Sequence, residues 1–374
     1  MNTISTRLWR SLAAAVAFLI LGPGALVPVQ HLAAQEDNTV YLPLVTTAPP
    51  PLDSLQLAFF TDRDGEFQIY TMQADGSSVT QLTDTAWFKG GLSWSPDGQK
   101  ILFGANPSDP VMNWDIYAMQ SDGTSVINLT NNPASDGGAV WSPDGSKIAF
   151  ESDRDGNNEI YVMNSDGSTQ RNLTNDPGSD EEPTWSPDGA QIAFVSIRSG
   201  EPGLYVMQAD GSNQVRLTDA TPARRPAWSP DGQSIAYAFD SNLYVLNLNT
   251  LTSIKLTDHA SGFLSVIGNL EWSPDGAQLA YSHCICVLPS STPNIYLILA
   301  DGSEDTPRMI GQGGYPTWSP DGGYLAYNTR SYAIVGLTAQ IYVRVVRTGE
   351  NLQLTTGANN YSAVWRPINT RGAS

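Results

Sequence analysis

Short apolar runs separated by polar turns recur along residues 55–366 of the chain. A triplet of two apolar residues and an aromatic one occurs seven times, from Leu57-Ala58-Phe59 to Leu325-Ala326-Tyr327. An aliphatic–Tyr pair also occurs seven times, from Ile69-Tyr70 to Ile341-Tyr342. Runs of this length, bounded by Gly, Pro, Asp and Ser, predict β-strands, and no sustained helical periodicity accompanies them.

A tryptophan follows the same rhythm, at intervals of 43 to 47 residues. The seven copies are Trp94, Trp141, Trp185, Trp228, Trp272, Trp318 and Trp365. In all but the last, the tryptophan begins the motif Trp-Ser-Pro-Asp-Gly, whose Pro and Gly suit a tight reversal between strands. A period of about 40–50 residues is typical of repeat architectures. Because the tryptophan recurs at one position in every repeat, we expect its side chain to pack between units and not to bind carbohydrate.

Counting the strands of each repeat predicts how the chain closes. The chain begins with the second, third and fourth strands of one unit, and it ends with a first strand at Val364-Trp365. These incomplete ends complement each other, and a closed ring leaves no exposed strand edge. We therefore predict an all-β fold: a seven-bladed β-propeller over residues 55–367, built of four-stranded antiparallel blades and closed by the C-terminal strand joining the N-terminal blade. Residues 368–374 are expected to be a tail.

The N-terminal region has the features of an export signal. Arg7 and Arg10 precede an apolar run from Leu12 to Leu21, and small residues follow before Gln35. We predict a cleaved signal peptide over 1–34 and a Pro-rich linker over 35–54, with an uncleaved membrane anchor as the alternative. The mature form is expected not to span a membrane and to be periplasmic or extracellular.

Net charge and cysteine content restrict the function further. A formal net charge of −18 and a pI near 4.3 argue against nucleic acid as a partner, since that binding relies on clustered Lys and Arg. The two cysteines, Cys284 and Cys286, are expected to be free thiols. On an extended strand both side chains would point to the same face, and a disulfide between them would need a sharp loop in the backbone.

Two copies of Asp-Arg-Asp-Gly are the candidate metal sites. Asp62 and Asp64 lie in the first copy, and Asp153 and Asp155 lie in the second. Alternating carboxylates before a glycine can offer oxygen ligands to Ca²⁺. A turn in which each Asp bonds nearby backbone amides explains the motif equally, and no other cofactor is indicated.

Candidate partner-binding residues are those that depart from the repeat. Trp87 and Trp114 lie outside the periodic tryptophan position. They are interpreted either as exposed contact residues on a rim of the propeller or as packing residues. Four insertions, 104–113, 258–268, 283–293 and 328–339, break the repeat and are candidate contact segments. The acidic run 180–182 and the basic pair 224–225 hold equivalent places in successive units, which predicts a surface ion pair or a polar docking surface.

Enzymatic chemistry finds little support in the motifs. His259 and His283 lack the spacing and further ligands of a zinc site, and we expect His283 to be a surface or half-buried strand residue. No Gly-x-Ser-x-Gly elbow and no phosphate-binding glycine loop occurs. A pair of carboxylates acting as in glycosidases stays open, because nothing separates catalytic from turn carboxylates.

The Trp-Ser-Pro-Asp-Gly copies, aliphatic–Tyr strands and Asp-Gly turns resemble the repeats of the TolB family of bacterial propellers over residues 55–366. We expect seven blades where TolB has six. The resemblance implies a secreted, non-enzymatic scaffold, expected to be monomeric, that binds a protein or peptide of the cell envelope or extracellular space through one rim and the channel mouth. The alternatives are a propeller accessory to a peptidase or hydrolase, and a glycosidase or lyase using channel carboxylates.

Overall fold

The computed structural model describes residues 48–107, 113–218, 223–259, 265–285, 292–304, 306–329 and 338–368. These residues form seven four-stranded antiparallel sheets and one short 3₁₀ helix, η1 (Leu52–Ser54). The predicted seven-bladed propeller is confirmed. Within the same ranges no helix is long and apolar enough to cross a membrane.

The strands follow one another blade by blade. Blade 1 contains β1 (Gln56–Thr61), β2 (Gln68–Gln73), β3 (Thr80–Gln81) and the last strand of the chain, β28 (Asn360–Trp365). Blade 2 contains β4 (Phe88–Trp94), β5 (Lys100–Asn106), β6 (Asp115–Gln120) and β7 (Ile127–Asn128). Blade 3 contains β8 (Asp136–Trp141), β9 (Lys147–Ser152), β10 (Glu159–Asn164) and β11 (Arg171–Asn172). Blade 4 contains β12 (Asp180–Trp185), β13 (Gln191–Ser196), β14 (Gly203–Gln208) and β15 (Val215–Arg216).

The remaining three blades repeat this order. Blade 5 contains β16 (Arg224–Trp228), β17 (Ser234–Phe239), β18 (Asn242–Asn247) and β19 (Thr252–Lys255). Blade 6 contains β20 (Ser265–Trp272), β21 (Gln278–Ile285), β22 (Asn294–Leu299) and β23 (Arg308–Gln312). Blade 7 contains β24 (Gly314–Trp318), β25 (Tyr324–Thr329), β26 (Gln340–Val345) and β27 (Asn351–Gln353). In every blade the strand that ends in the repeat tryptophan is an edge strand of its sheet, and we call it the innermost strand. These strands of blades 2–7 supply most of the wall of the central channel.

The ring closes as the strand count predicts. Strand β28 pairs antiparallel with β1, with Trp365 opposite Leu57 and Val364 opposite Ala58. The Trp365 indole N–H donates to the Thr317 carbonyl of blade 7 at 3.0 Å. The last strand of the chain therefore joins the first blade to the seventh.

The hydrophobic core is divided among the seams between blades. Each repeat tryptophan is buried, with an exposed fraction of 5–9%. In five seams its indole N–H donates, at 2.9–3.3 Å, to the carbonyl of the residue before the preceding blade's tryptophan. Trp141, for example, packs against Leu102 and Ile116 of blade 2. The predicted packing role of the tryptophans is confirmed.

Strand direction sorts the connections onto two rims. The turns between first and second strands and between third and fourth strands lie at one end, which we call the turn rim. The connections between second and third strands and between successive blades lie at the other end, which we call the insertion rim. All four predicted insertions fall on the insertion rim, and part of each lies outside the described residues.

The expectation of free thiols is wrong, because Cys284 is disulfide-bonded. The chain's only other cysteine is Cys286. The argument for free thiols needed an extended backbone through both residues, whereas β21 ends at Ile285. The predicted signal peptide, most of the linker and residues 369–374 lie outside the described residues.

Candidate functional site

A cavity of about 870 Å³ occupies the central channel on the side of the insertion rim. Its wall comes from the innermost strands of blades 2–7, together with Trp114, which precedes β6. The charged and polar side chains at this wall include Glu182, Arg225 and Asn269. The cavity is therefore polar on one side and lined by glycines of blades 2 and 3 on the other.

Each innermost strand contains a β-bulge, and in blades 2–7 the bulge residue lines this cavity. The strand register shifts at this place in all seven blades, three residues before the tryptophan. We call these residues the bulge ring: Gly91, Gly138, Glu182, Arg225, Asn269, Tyr315 and Ser362. All but Ser362 line the cavity.

Three large side chains of the bulge ring stand on unfavourable backbone. Glu182, Arg225 and Tyr315 have φ of 57°, 55° and 54°, in the left-handed region that glycine adopts without cost. Gly91 and Gly138 occupy the same conformation in blades 2 and 3. Such backbone costs about 1 kcal/mol or more for a side chain bearing a Cβ, and outliers of this kind concentrate at functional sites.

Glu151 supplies a carboxylate where the bulge ring lacks a side chain. A Cβ on Gly138 would lie 2.7 Å from Oε1 of Glu151, so this carboxylate occupies the space that a residue at 138 would fill. The same oxygen accepts the backbone N–H of Glu182 at 2.7 Å. Burial, followed by the charges of Glu181 and Glu182, raises the pKa of the Glu151 carboxyl. The sequence did not predict a role for Glu151, because its contact with Gly138 is seen only in the folded structure.

The predicted ion pair between the acidic run and the basic pair is confirmed for one pair. Arg224 lies 3.8 Å from Glu181, and both are substantially exposed. Glu182 and Arg225 instead line the channel, where the Arg225 backbone N–H donates to the Glu182 carboxylate.

Asp180, the first residue of the acidic run, points away from the channel. Its side chain is fully buried and pairs with Arg198 at 2.7 Å. Burial raises the pKa of Asp180 to about 6, against the lowering effect of Arg198.

The two candidate partner-binding tryptophans occupy different environments. Trp114 lines the cavity, with its ring 3.4–3.8 Å from where a Cβ on Gly90 or Gly104 would lie. Trp87 is half-buried against the core between blades 1 and 2, 5.3 Å from the Tyr117 ring. Phe88 beside it is 58% exposed. Partner binding by Trp87 and Trp114 stays a prediction.

The candidate calcium ligands all bond within the protein. Asp62 accepts the backbone and side-chain N–H groups of Asn359 at 2.7 and 2.6 Å, and Asp153 accepts the Ser135 N–H at 2.8 Å. Asp64 and Asp155 accept the hydroxyls of Tyr70 and Tyr161. Among the described residues no group of three or more His, Cys, Asp or Glu could hold a metal ion. The calcium site stays a prediction.

The arginine of the Asp-Arg-Asp-Gly motif has a role that the sequence did not suggest. The Arg154 guanidinium lies 4.6 Å from the centre of the Tyr161 ring and 2.8 Å from the buried Asp136 carboxylate. Arg198 repeats this arrangement in blade 4 with Tyr205 and Asp180. These arginines fix the second strand to the innermost strand just below the insertion rim.

The structure also brings together two histidines that are far apart in sequence. The rings of His259 and His283 stack at 3.9 Å, and His259 Nε2 lies 2.9 Å from the Tyr281 hydroxyl. Burial, followed by the charge of His259, lowers the pKa of His283 to about 4. His283 is 5% exposed, so the expectation of a surface or half-buried residue is wrong. The contact depends on a blade connection that spacing along the chain does not reveal.

A smaller cavity, of about 320 Å³, lies toward the turn rim and is lined by Glu271, Thr317 and Trp318 among others. The Glu271 carboxylate accepts the Trp318 backbone N–H at 3.2 Å. Burial raises the pKa of Glu271 to about 7.

The family model described as TolB beta propeller domain matches residues 89–169, 141–221 and 206–371. A search of curated protein sequences gave no match.

Solved structures with similar folds come from proteins of different kinds. TolB from Acinetobacter baumannii is 19% identical, with 85% of this chain and 68% of that chain covered and a TM-score of 0.56. An oligogalacturonate lyase from Vibrio parahaemolyticus is 14% identical, with coverages of 77% and 85% and a TM-score of 0.60. A prolyl endopeptidase is 16% identical with a TM-score of 0.58, covering 86% of this chain, which spans about half (50%) of that one. At these identities the similarity concerns the fold alone.

Proposed function

The chain belongs to the family of TolB β-propeller domains, and from that premise we propose that it is an exported, non-enzymatic scaffold that binds a protein or peptide through the insertion rim and the channel mouth. Protein binding is the role that the resemblance to TolB implies. The proposal places the mature protein in the periplasm or outside the cell, as a monomer.

One observation carries the choice of rim. The four insertions all lie on the insertion rim, and the larger cavity opens into the channel on that side. The turn rim, by contrast, consists of repeated tight turns. Variable segments on a rigid scaffold are the usual place for recognition. The side chains held on unfavourable backbone, Glu182, Arg225 and Tyr315, line the same cavity.

The test is site-specific photo-cross-linking in cells that export the protein. A cross-linker at Arg225 in the channel mouth is expected to capture a distinct protein or peptide, and one at Glu350 on the turn rim is the matched control. Replacing the insertions 104–113, 283–293 and 328–339 by the short loop 153–158 of blade 3 should abolish that adduct. Identical adducts from both positions, or an adduct that survives all three replacements, would contradict the proposal.

A lyase or glycosidase is the second candidate, favoured by the channel carboxylates. Glu151 and Glu182 are joined through a backbone hydrogen bond, and a raised pKa suits Glu151 to hold a proton at higher pH than an exposed carboxyl. Chain cleavage of acidic or neutral polysaccharides by the full chain, lost in both Glu151→Gln and Glu182→Gln, would favour the enzyme over the scaffold. An absence of cleavage across such a panel would leave binding as the function.

A further inference from the structure

One position in the second strand of each blade is neutral everywhere except in blade 3. This position follows the aromatic residue of the apolar triplet, and its members are Phe60, Gly104, Glu151, Val195, Ala238, Ser282 and Asn328. Only blade 3 places a charge there. A Cβ on Gly138 would lie 2.7 Å from Glu151 Oε1, so the Glu151 carboxylate lies directly beside Gly138, which lines the cavity.

In the described part of the chain, the two carboxylates at this place accept backbone N–H groups and form no ion pair. Among the described residues, the ion pairs include neither Glu151 nor Glu182. Arg224 pairs with Glu181 at 3.8 Å, and half of the Arg224 side chain is exposed. A partly buried carboxylate with a second carboxylate nearby is costly unless a positive charge joins it. A cation brought by a ligand would therefore be stabilised here.

An aromatic ring completes this side of the channel mouth. Trp114 packs against Gly90 and Gly104, where the absence of side chains makes room for the ring, and it lines the same cavity as Gly138 and Glu182. Such a ring attracts cations through its face and packs against methylene stems. Arg225, one blade beyond Glu182, lines the same cavity. Its positive charge would repel the cationic group of a ligand and so favour the side of blades 2–4.

We propose that Trp114, Glu151 and Glu182 form a cation pocket that binds the side chain of a lysine or arginine in the partner peptide. The proposal rests on the proposed function and names the chemistry of its ligand. The charged group sits between the two carboxylates, and its methylene stem lies against Trp114. The net charge of −18 steers a basic segment toward the protein.

The pocket is tested with short peptides and the full mature chain. The probe is a labelled Gly-Gly-Arg-Gly-Gly peptide, and its control replaces arginine by citrulline, which has the same shape without the charge. We expect the arginine peptide to bind about 10-fold more tightly than the citrulline peptide by fluorescence anisotropy, as suits one charge-assisted contact. Raising the salt concentration should narrow this difference.

Substitutions locate the site. Glu151→Gln keeps an acceptor for the Glu182 N–H, so its melting temperature should be unchanged while arginine-peptide affinity falls about 10-fold. Trp114→Ala should weaken the arginine peptide as well, and Glu350→Gln on the turn rim should leave its affinity unchanged. Equal affinity for arginine and citrulline peptides, or undiminished affinity in a folded Glu151→Gln protein, overturns the cation pocket.

The two proposals fail differently. If cross-linking at Arg225 captures a partner but Glu151→Gln does not reduce the capture, the scaffold function stands and the cation pocket is overturned. If the arginine peptide binds as expected but no partner is captured through the insertion rim, the pocket stands and the proposed function is contradicted.

Discussion

At the scale of single residues, side chains of the same charge have roles set by their neighbours. Asp180 and Glu182 are two residues apart, yet Asp180 is buried against Arg198 and Glu182 lines the channel. On a regular strand, residues two apart point to the same face. The bulge at 182 inserts an extra residue into the strand, so the Glu182 side chain does not follow that of Asp180. Residue identity alone gave an acidic run without saying which members meet a cation.

The Arg154–Asp136 contact should contribute measurably to stability. Arg154→Ala leaves the Asp136 carboxylate, whose side chain is fully buried, without its cation, so we expect a loss of about 3 kcal/mol in the free energy of unfolding. Urea unfolding checks this value. Arg171→Ala, on the exposed edge of the same blade, is the matched control and should change it by less than about 0.5 kcal/mol. A loss no larger than the control's would contradict the role given to Arg154.

Calcium should leave the stability of the protein unchanged. Asp62 and Asp153 already accept backbone N–H groups, and Asp64 and Asp155 accept tyrosine hydroxyls. The four carboxylates therefore already have partners within the protein, and we expect the same melting temperature with added Ca²⁺ and with chelator. A ligand that binds the folded state must raise the melting temperature. A calcium-dependent rise that is lost in Asp153→Asn would therefore contradict this prediction and support the metal site.

At the scale of strands and blades, the repeat is regular where blades pack and irregular where they face the channel mouth. The apolar triplets and tryptophans are buried in every seam. The bulge ring, by contrast, changes from glycine in blades 2 and 3 to Glu182 and Arg225 in blades 4 and 5. Packing between like surfaces constrains the first set, whereas the channel leaves room for the second.

The histidine pair should make blade 6 sensitive to acid. The pKa of His283 is about 4 in the folded protein and 6.5 when unperturbed, so between these values the unfolded chain binds a proton that the folded chain excludes. Stability must therefore fall as pH falls from about 6.5 to about 4. Relative to His283→Gln, the native protein should lose about 2 kcal/mol over this window in urea unfolding.

The comparison with the variant is needed because other groups act in the opposite direction. Glu271 and Asp180 have raised pKa values, near 7 and 6, and each takes up a proton on folding over part of the same window. Subtracting the profile of His283→Gln removes their common contribution. Parallel profiles for the two proteins would show that His283 does not couple to folding.

At the scale of the whole molecule, the ring depends on one strand that returns from the far end of the chain. Trp365 begins no Trp-Ser-Pro-Asp-Gly turn, but its ring is 6% exposed and packs with Leu57 and Phe59. Arg366, which follows it, donates to the Gly98 carbonyl of blade 2 at 2.9 Å. The closing strand is thus held by blades 1, 2 and 7.

Removing the closing tryptophan should cost as much as removing one in mid-chain. Trp365→Ala deletes a buried ring and its hydrogen bond to Thr317, and we expect a loss of about 3–5 kcal/mol in the free energy of unfolding. Trp272→Ala, equally buried in blade 6, is the comparison. Hydrogen exchange should show faster opening of β1 and β28 only in Trp365→Ala. Slow exchange in those strands would mean that the seam does not depend on Trp365.

The amino-acid sequence by itself determined the number of blades, the strand order and the closure, because each depends on a local pattern repeated at a fixed period. Trp94 and its six counterparts occupy equivalent places in the seams for that reason. Only the tertiary structure decided what lies at the channel mouth. The Glu151 carboxylate lies in the space that a side chain at Gly138 would fill, and the ring of His259 stacks on that of His283. The register and the bulge recur in every blade, but they do not show which side chains meet across strands and blades, so the candidate site depends on the tertiary structure.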